Sequence, residues 1–251
     1  MALYSEERGN KDGQTIVFIH GGGVGGWMWE EQLKEFKDYH CVVPDLPEHG
    51  KSAAEGPITI EDCAERMAEL IKQRANGGHA IVIGHSLGGK VAMQLLSTHP
   101  ELVDKAVVAS ALFRPMFIMS VFLNKPTYKL TVWMMKSKMI LDAQAKQFQF
   151  PDQAFIDNFK KDSKALTADV LGRIYDQLNK HLSLPIGLHR AKMPVLVVAG
   201  EKEPKAMKGS VDDIAGMLPN AQTKLLPGAL HNYPWAKSKE FNALIREFLQ
   251  G

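Results

Sequence analysis

Ser86 stands between two glycines in Gly84-His85-Ser86-Leu87-Gly88, directly after the apolar run Ala80-Ile81-Val82-Ile83. The apolar run reads as a buried strand, and the stretch from 90 to 98 as a helix. Ser86 is left at the corner between them. Glycines on both sides let neighbouring backbone approach without a Cβ clash. A hydroxyl at such a corner projects from the sheet edge, above the free N–H groups of a helix N-terminus. This is the nucleophile-elbow arrangement, suited to attack on a carbonyl or similar electrophile through a covalent acyl intermediate. The N–H of Leu87, the residue after the nucleophile, is a candidate donor to the developing oxyanion.

A serine needs a base, and the base needs an orienting acid. His231 lies in Pro227-Gly228-Ala229-Leu230-His231-Asn232, between an expected short strand over 223–226 and a last helix over 238–249. Glu201 and Glu203 follow the strand-like run Val195-Leu196-Val197-Val198-Ala199-Gly200. The chain order is therefore serine, acid, histidine. Upstream, Thr15-Ile16-Val17-Phe18-Ile19 runs into His20-Gly21-Gly22-Gly23, where bare backbone N–H groups can face a substrate oxygen. No His-Glu-x-x-His or comparable metal spacing occurs.

The elements that must position these residues alternate strand and helix, which implies an α/β fold with a mostly parallel sheet covered on both faces. The start reads as a hairpin, with arms over 3–8 and 15–19 and a turn over 9–13. Val42-Val43 and the stretch 106–109 add strands. Residues 59–74 read as a helix, with Thr59 and Asp62 as its N-terminal signature and Ile60, Cys63, Ala64, Met67, Leu70 and Ile71 at helical spacing. From 112 to 185 the alternation stops. Helices are expected there over 115–123, 127–141, 152–161 and 166–181, punctuated by Pro115, Pro126, Pro151 and Pro185.

The order serine, acid, histidine, with the His-Gly motif upstream, resembles the α/β-hydrolase family over nearly the whole chain. The segment Asp45-Leu46-Pro47-Glu48-His49-Gly50-Lys51-Ser52 is similar to the family's D-x-x-G-H-G-x-S loop, with Glu48 where a glycine is frequent. The resemblance implies a core over 1–111 and 186–251 and a helical cap insertion over 112–185. It implies Ser86 as nucleophile, His231 as base and the carboxylate at Glu203 as acid, where the family more often has aspartate. It also implies the N–H of Gly22 as the second oxyanion donor, beside that of Leu87. A large side chain is common at positions like Gly22, so glycine there is expected to leave room for bulky ester groups. The soft and aromatic residues of the expected cap, Met116, Met119 and Trp133 among them, suggest an apolar ceiling. Trp27 either lines the pocket or wedges the glycine loop against the core.

The chain has 251 residues, 45% hydrophobic and 23% charged, enough for one α/β domain with an insertion. A net charge of +2, without a basic cluster, gives no reason to expect a nucleic-acid partner. No apolar run reaches the length of a membrane span, and neither a membrane association nor a secretory leader is expected. Two cysteines, Cys41 and Cys63, suit core positions in a reducing, cytoplasmic compartment better than a disulfide framework. The expected activity is hydrolysis of a small carboxylic ester with apolar groups, with no metal or organic cofactor. The same residues could instead serve thioesters, lactones, amides or carbon–carbon bonds, use peroxide in place of water, or form a slow-turnover small-molecule receptor. Nothing in the sequence fixes an oligomeric state.

Overall fold

The computed structural model describes residues 3–116 and 125–251. Met119 and most of the helix expected over 115–123 lie outside them. Seven strands form one sheet: β1 (Ser5–Gly9), β2 (Thr15–Ile19), β3 (His40–Pro44), β4 (Ala80–His85), β5 (Val103–Ala109), β6 (Val195–Gly200) and β7 (Ala221–Leu226), in the order β1-β3-β2-β4-β5-β6-β7. All neighbours run parallel except β1 and β3.

The expected N-terminal hairpin does not form. β1 pairs antiparallel with β3, from Ser5 opposite Pro44 to Gly9 opposite His40, and β3 therefore sits between β1 and β2. The chain after β1 crosses the start of β3, where Asn10 N–H donates to Tyr39 O at 3.0 Å and His40 N–H to Gln14 O at 3.0 Å.

β2, β4 and β6 are buried along their whole length, as strands covered on both faces must be. Their side chains alternate between two cores. Val17, Ile19, Val82 and Val197 belong to the same core as α2 (Ile60–Arg74) and α3 (Leu87–Thr98). Ile16, Phe18, Ile81, Ile83 and Val198 belong to a second core on the opposite face with Trp29 and Phe36, which flank α1 (Glu30–Glu35), and with Tyr233 and Phe241. Helix α2 starts as its sequence suggests, with Thr59 Oγ1 accepting the Asp62 N–H at 3.1 Å.

Between β5 and β6 lie four described helices: α4 (Lys125–Met135), α5 (Lys138–Gln147), α6 (Gln153–Ala165) and α7 (Ala168–Lys180). The single helix expected over 127–141 is broken into α4 and α5, because Ser137 takes an extended conformation (φ −66°, ψ 130°) as the residue before α5. Serine competes with the helix for backbone hydrogen bonds and favours such positions. Helix α7 is tied to the core by the Arg173 guanidinium, which donates to both oxygens of Glu48 at 2.9 and 2.5 Å. Gln177 Oε1 adds a second tie, accepting the Ile60 N–H at 3.1 Å. The chain closes with α8 (Lys205–Met217), α9 (Tyr233–Ala236) and α10 (Ser238–Gln250). Among the described residues, no helix is long and apolar enough to cross a membrane.

Candidate active site

Ser86 joins β4 to α3 with φ 56° and ψ −115°, a left-handed conformation that is costly for a residue with a side chain. The corner is held because neighbouring segments are packed onto it. A Cβ on Gly84 would lie 2.2 Å from Gly88 O, and one on Gly88 would lie 2.2 Å from Ile19 O. Only glycine fits at either position. The Ser86 N–H donates to Ala109 O at 2.8 Å, fixing the elbow to β5.

His231 stands in the loop after β7, its side chain 48% exposed. Its Nδ1 lies 2.6 Å from Glu203 Oε1, while the Glu203 side chain is almost wholly buried. The second Glu203 oxygen accepts from Ser110 Oγ at 2.6 Å and from the Gly200 N–H at 2.7 Å. Burial alone pushes the Glu203 carboxyl up, but His231, Ser110 and Gly200 together hold it below the usual carboxylate range. It is therefore ionised at neutral pH and fixes the proton of His231 on Nδ1, which leaves Nε2 free to accept. Glu201, the competing carboxylate, instead accepts the Gly228 N–H at 2.7 Å and is exposed.

Two groups here were not legible in the sequence. Ser110, also left-handed (φ 50°), bridges Glu203 and the hydroxyl of Tyr233 at 3.1 Å. The buried His85 donates from Nε2 to His231 O at 3.0 Å and stacks obliquely on the His231 ring, 4.6 Å between centres. Burial, and the neighbouring His231, push the His85 pKa well down, so it supports the loop as a neutral ring. The signal for Ser110 was its place at the end of β5, beside β6; nothing local marked its partner.

The glycine loop offers one free donor. The Gly21 N–H points to Met28 Sδ at 3.4 Å and the Gly23 N–H to His49 Nε2 at 2.9 Å. Between them the Gly22 N–H has no partner among the described residues, and neither does the Leu87 N–H at the start of α3. His20 and His49 keep the loop in place. His20 accepts the Leu46 N–H at 2.9 Å and donates to Gly21 O at 2.7 Å, and burial beside His49 lowers its pKa to about 4. Asp45 ties the same loops together, accepting from the N–H groups of Gly26 and Lys51, both at 2.8 Å.

The space expected over Gly22 is partly taken by α7. A Cβ there would lie 2.9 Å from Ile174 Cγ2, so α7 fills the side-chain direction, and the glycine borders the two cavities only through its backbone. Two cavities flank Ser86 and His231. The smaller, about 150 Å³, is walled by Met28, Phe148, Phe150, Phe159 and Trp235. The larger, about 520 Å³, runs beneath α4 to α7 and includes Met116, Met135, Leu171, Ile174 and Met207. Trp133 is not part of either: α4 turns it outward, 74% exposed, while Thr131 and Met135 face the cavity. Trp27 is likewise absent from both. It wedges the glycine loop, edge-on to Phe150 and Phe155, with its indole N–H on Asp162 Oδ2 at 2.6 Å. The hydroxyl of Ser86 has no hydrogen-bond partner among the described residues, but it and the His231 ring border both cavities.

A family model described as alpha/beta hydrolase fold matches residues 14–237. Among curated proteins, the chain is 41% identical over 102 residues to an AB hydrolase superfamily protein of Gibberella zeae, covering 40% of this chain and 36% of that one. It is 34% identical over 112 residues to a pimeloyl-[acyl-carrier protein] methyl ester esterase of Vibrio cholerae, covering 44% and 41%. The matched stretch thus spans about two fifths of the length of these curated relatives. Among solved structures, a thermophilic esterase of Thermogutta terrifontis superposes with a TM-score of 0.74 at 18% identity, over 99% of this chain and 93% of that one. At that identity the likeness is one of fold.

Proposed function

The chain belongs to the α/β-hydrolase family, and from that premise we propose that it is a serine hydrolase of carboxylic esters with apolar groups. Ser86 Oγ attacks the ester carbonyl carbon as His231 Nε2 takes its proton. The tetrahedral oxyanion is received by the N–H groups of Gly22 and Leu87. His231 then returns the proton to the alcohol oxygen, the carbon–oxygen bond breaks, and the acyl group stays on Ser86. Water, deprotonated by His231 Nε2, attacks the acyl carbon; the bond to Ser86 Oγ breaks, His231 returns the proton to that oxygen, and the acid leaves. Glu203 holds the imidazole tautomer and stabilises its protonated form.

The observation that carries this reading is the pairing of an ionised, buried Glu203 with His231 Nδ1 at 2.6 Å, where the His231 ring borders the same cavities as Ser86. The unequal cavities support an ester with one compact arm and one longer arm, both apolar. Thioesters, lactones and amides present the same electrophile. Esters with apolar arms are favoured because the only charged side chain in either described lining, Glu203, is already engaged by His231, Ser110 and Gly200, which leaves no charge for a polar leaving arm.

The test is a set of chromogenic esters in which acyl and alcohol lengths vary independently. Turnover by the wild type, lost in Ser86→Ala, with one arm tolerating length and the other not, is the expected result. Wild-type turnover no greater than that of Ser86→Ala on every ester would end the proposal.

A further inference from the structure

Away from Ser86, Ser110, Glu203 and His231, the larger cavity is mostly apolar, but the helices around it each supply a neutral polar side chain: Thr131 from α4, Gln144 from α5, Ser163 from α6 and Tyr175 from α7. Gln144 Oε1 is cut off from solvent and has no hydrogen-bond partner among the described residues. Such an atom destabilises the folded chain unless something satisfies it. Ser163 is only 2% exposed, and its hydroxyl, like that of Thr131, is unoccupied by any hydrogen bond among the described residues. An apolar lining would pack equally well without these groups, so their presence along one cavity needs an explanation.

The charges around the cavity narrow the ligand. None of the described residues lining it is lysine, arginine or aspartate. Its single carboxylate, Glu203, is already engaged by His231, Ser110 and Gly200. A charged group entering this space would lose its hydration with nothing of opposite sign to meet it. A neutral donor or acceptor meets an amide and two hydroxyls. The last torsion of a glutamine side chain is soft, so the Gln144 amide can turn either its carbonyl or its NH2 toward the cavity.

We propose that Thr131, Gln144 and Ser163 form a recognition site for a neutral hydrogen-bonding group, such as a hydroxyl, carried on the longer arm of the substrate. The inference rests on the ester-hydrolase reading and narrows its substrate class. The preferred ester is apolar along its arm and bears one neutral polar group away from the scissile carbonyl.

The test uses ester pairs that differ only in a hydroxyl or a methyl at the end of one arm, one pair for the acyl arm and one for the alcohol arm. For the arm that fills the larger cavity, the wild type should favour the hydroxyl ester in kcat/KM about tenfold more than Gln144→Leu does. This corresponds to one net hydrogen bond of about 1.4 kcal/mol. Thr131→Val and Ser163→Ala, milder changes, should each erode the preference and guard against a Gln144→Leu chain that does not fold. Calorimetric binding of the same pairs to Ser86→Ala reads the preference without turnover. If the wild type hydrolyses no ester, the proposed function fails, but the binding ratio still decides this inference. An unchanged ratio across all three variants, in turnover and in binding, would overturn it and leave these groups as holders of water.

Discussion

The two oxygens of Glu203 do different work. Oε1 faces His231, while Oε2 is anchored by Ser110 and Gly200. Glu203→Gln keeps the shape but can offer an NH2 to His231, selecting the wrong tautomer. It should lower kcat by roughly 10⁴ while leaving KM nearly unchanged. Stopped-flow acylation with a chromogenic ester checks this, and a loss under tenfold would count against Glu203 as the orienting acid. Ser110→Ala removes one donor from the ionised carboxylate. The Glu203 pKa, held low in the folded protein, must then rise. The stability that Glu203 lends above its unfolded pKa should then fade at a higher pH on acidification, as unfolding followed along an acid titration of both proteins would show; coincident curves would mean that Ser110 does not help to hold the carboxylate ionised. Ser86 and His231 could be singled out in the sequence because each follows a strand end with its own local signature, whereas Glu203 was separated from Glu201 only by the resemblance to the family. Ser110 and His85 could not: their importance lies in partners 93 and 146 positions away.

At the scale of elements, α7 is the part that the glycine loop was shaped to receive. Gly22→Ala would drive a methyl to 2.9 Å from Ile174 Cγ2 and 3.5 Å from Leu87 Cδ2, displacing one or both proposed oxyanion donors. We expect kcat/KM to fall about tenfold, a change of 1.4 kcal/mol in the barrier, and Gly22→Ala/Ile174→Ala to recover most of it. No recovery would mean that the methyl blocks the substrate itself. The far end of α7 is held by Lys90, buried on α3 four residues after the nucleophile. Its Nζ donates to Leu178 O at 3.3 Å and to His181 O, and lies 4.3 Å from the centre of the Phe113 ring. Burial lowers its pKa to about 7. The unfolded chain therefore binds the extra proton between about 7 and the ordinary lysine value, and Lys90 makes stability rise with pH through that window. Lys90→Met should flatten the rise, as read by denaturant unfolding at pH 7 and pH 10; an equal slope in both proteins would place the ammonium in contact with water. Strong periodicity made α2 and the inner strands legible. The pairing of β1 was not, since a five-residue edge strand with charged side chains fits beside either neighbour, and its choice of β3 depends on the global sheet order.

Over the whole molecule, two kinds of cohesion meet. The sheet and its flanking helices share two continuous apolar cores, whereas α7 depends as well on discrete polar ties to the loops below it. Glu48 is central to those ties. It stands where the family's loop often has glycine, and it occupies the left-handed region that glycine would adopt without cost (φ 64°). The strain, on the order of 1 kcal/mol, is offset because its carboxylate accepts from the Ile58 N–H at 3.0 Å and grips Arg173 with both oxygens. Glu48→Gly would relieve the strain and release the grip together. Global stability should then change by less than about 1 kcal/mol, the two terms opposing. Local opening is governed by the ties alone, because the strain lies in a loop that stays folded when α7 lifts. Amides of α7 should therefore exchange about tenfold faster, with β4 and β6 unaltered. Since Leu171 and Ile174 wall the larger cavity, KM for a long-armed ester should rise while that for a short one holds. Hydrogen exchange read alongside the two KM values checks the argument. Equal loss of protection in α7 and β4 would show that the helix and the sheet open as one unit, with Glu48 bearing on the fold as a whole.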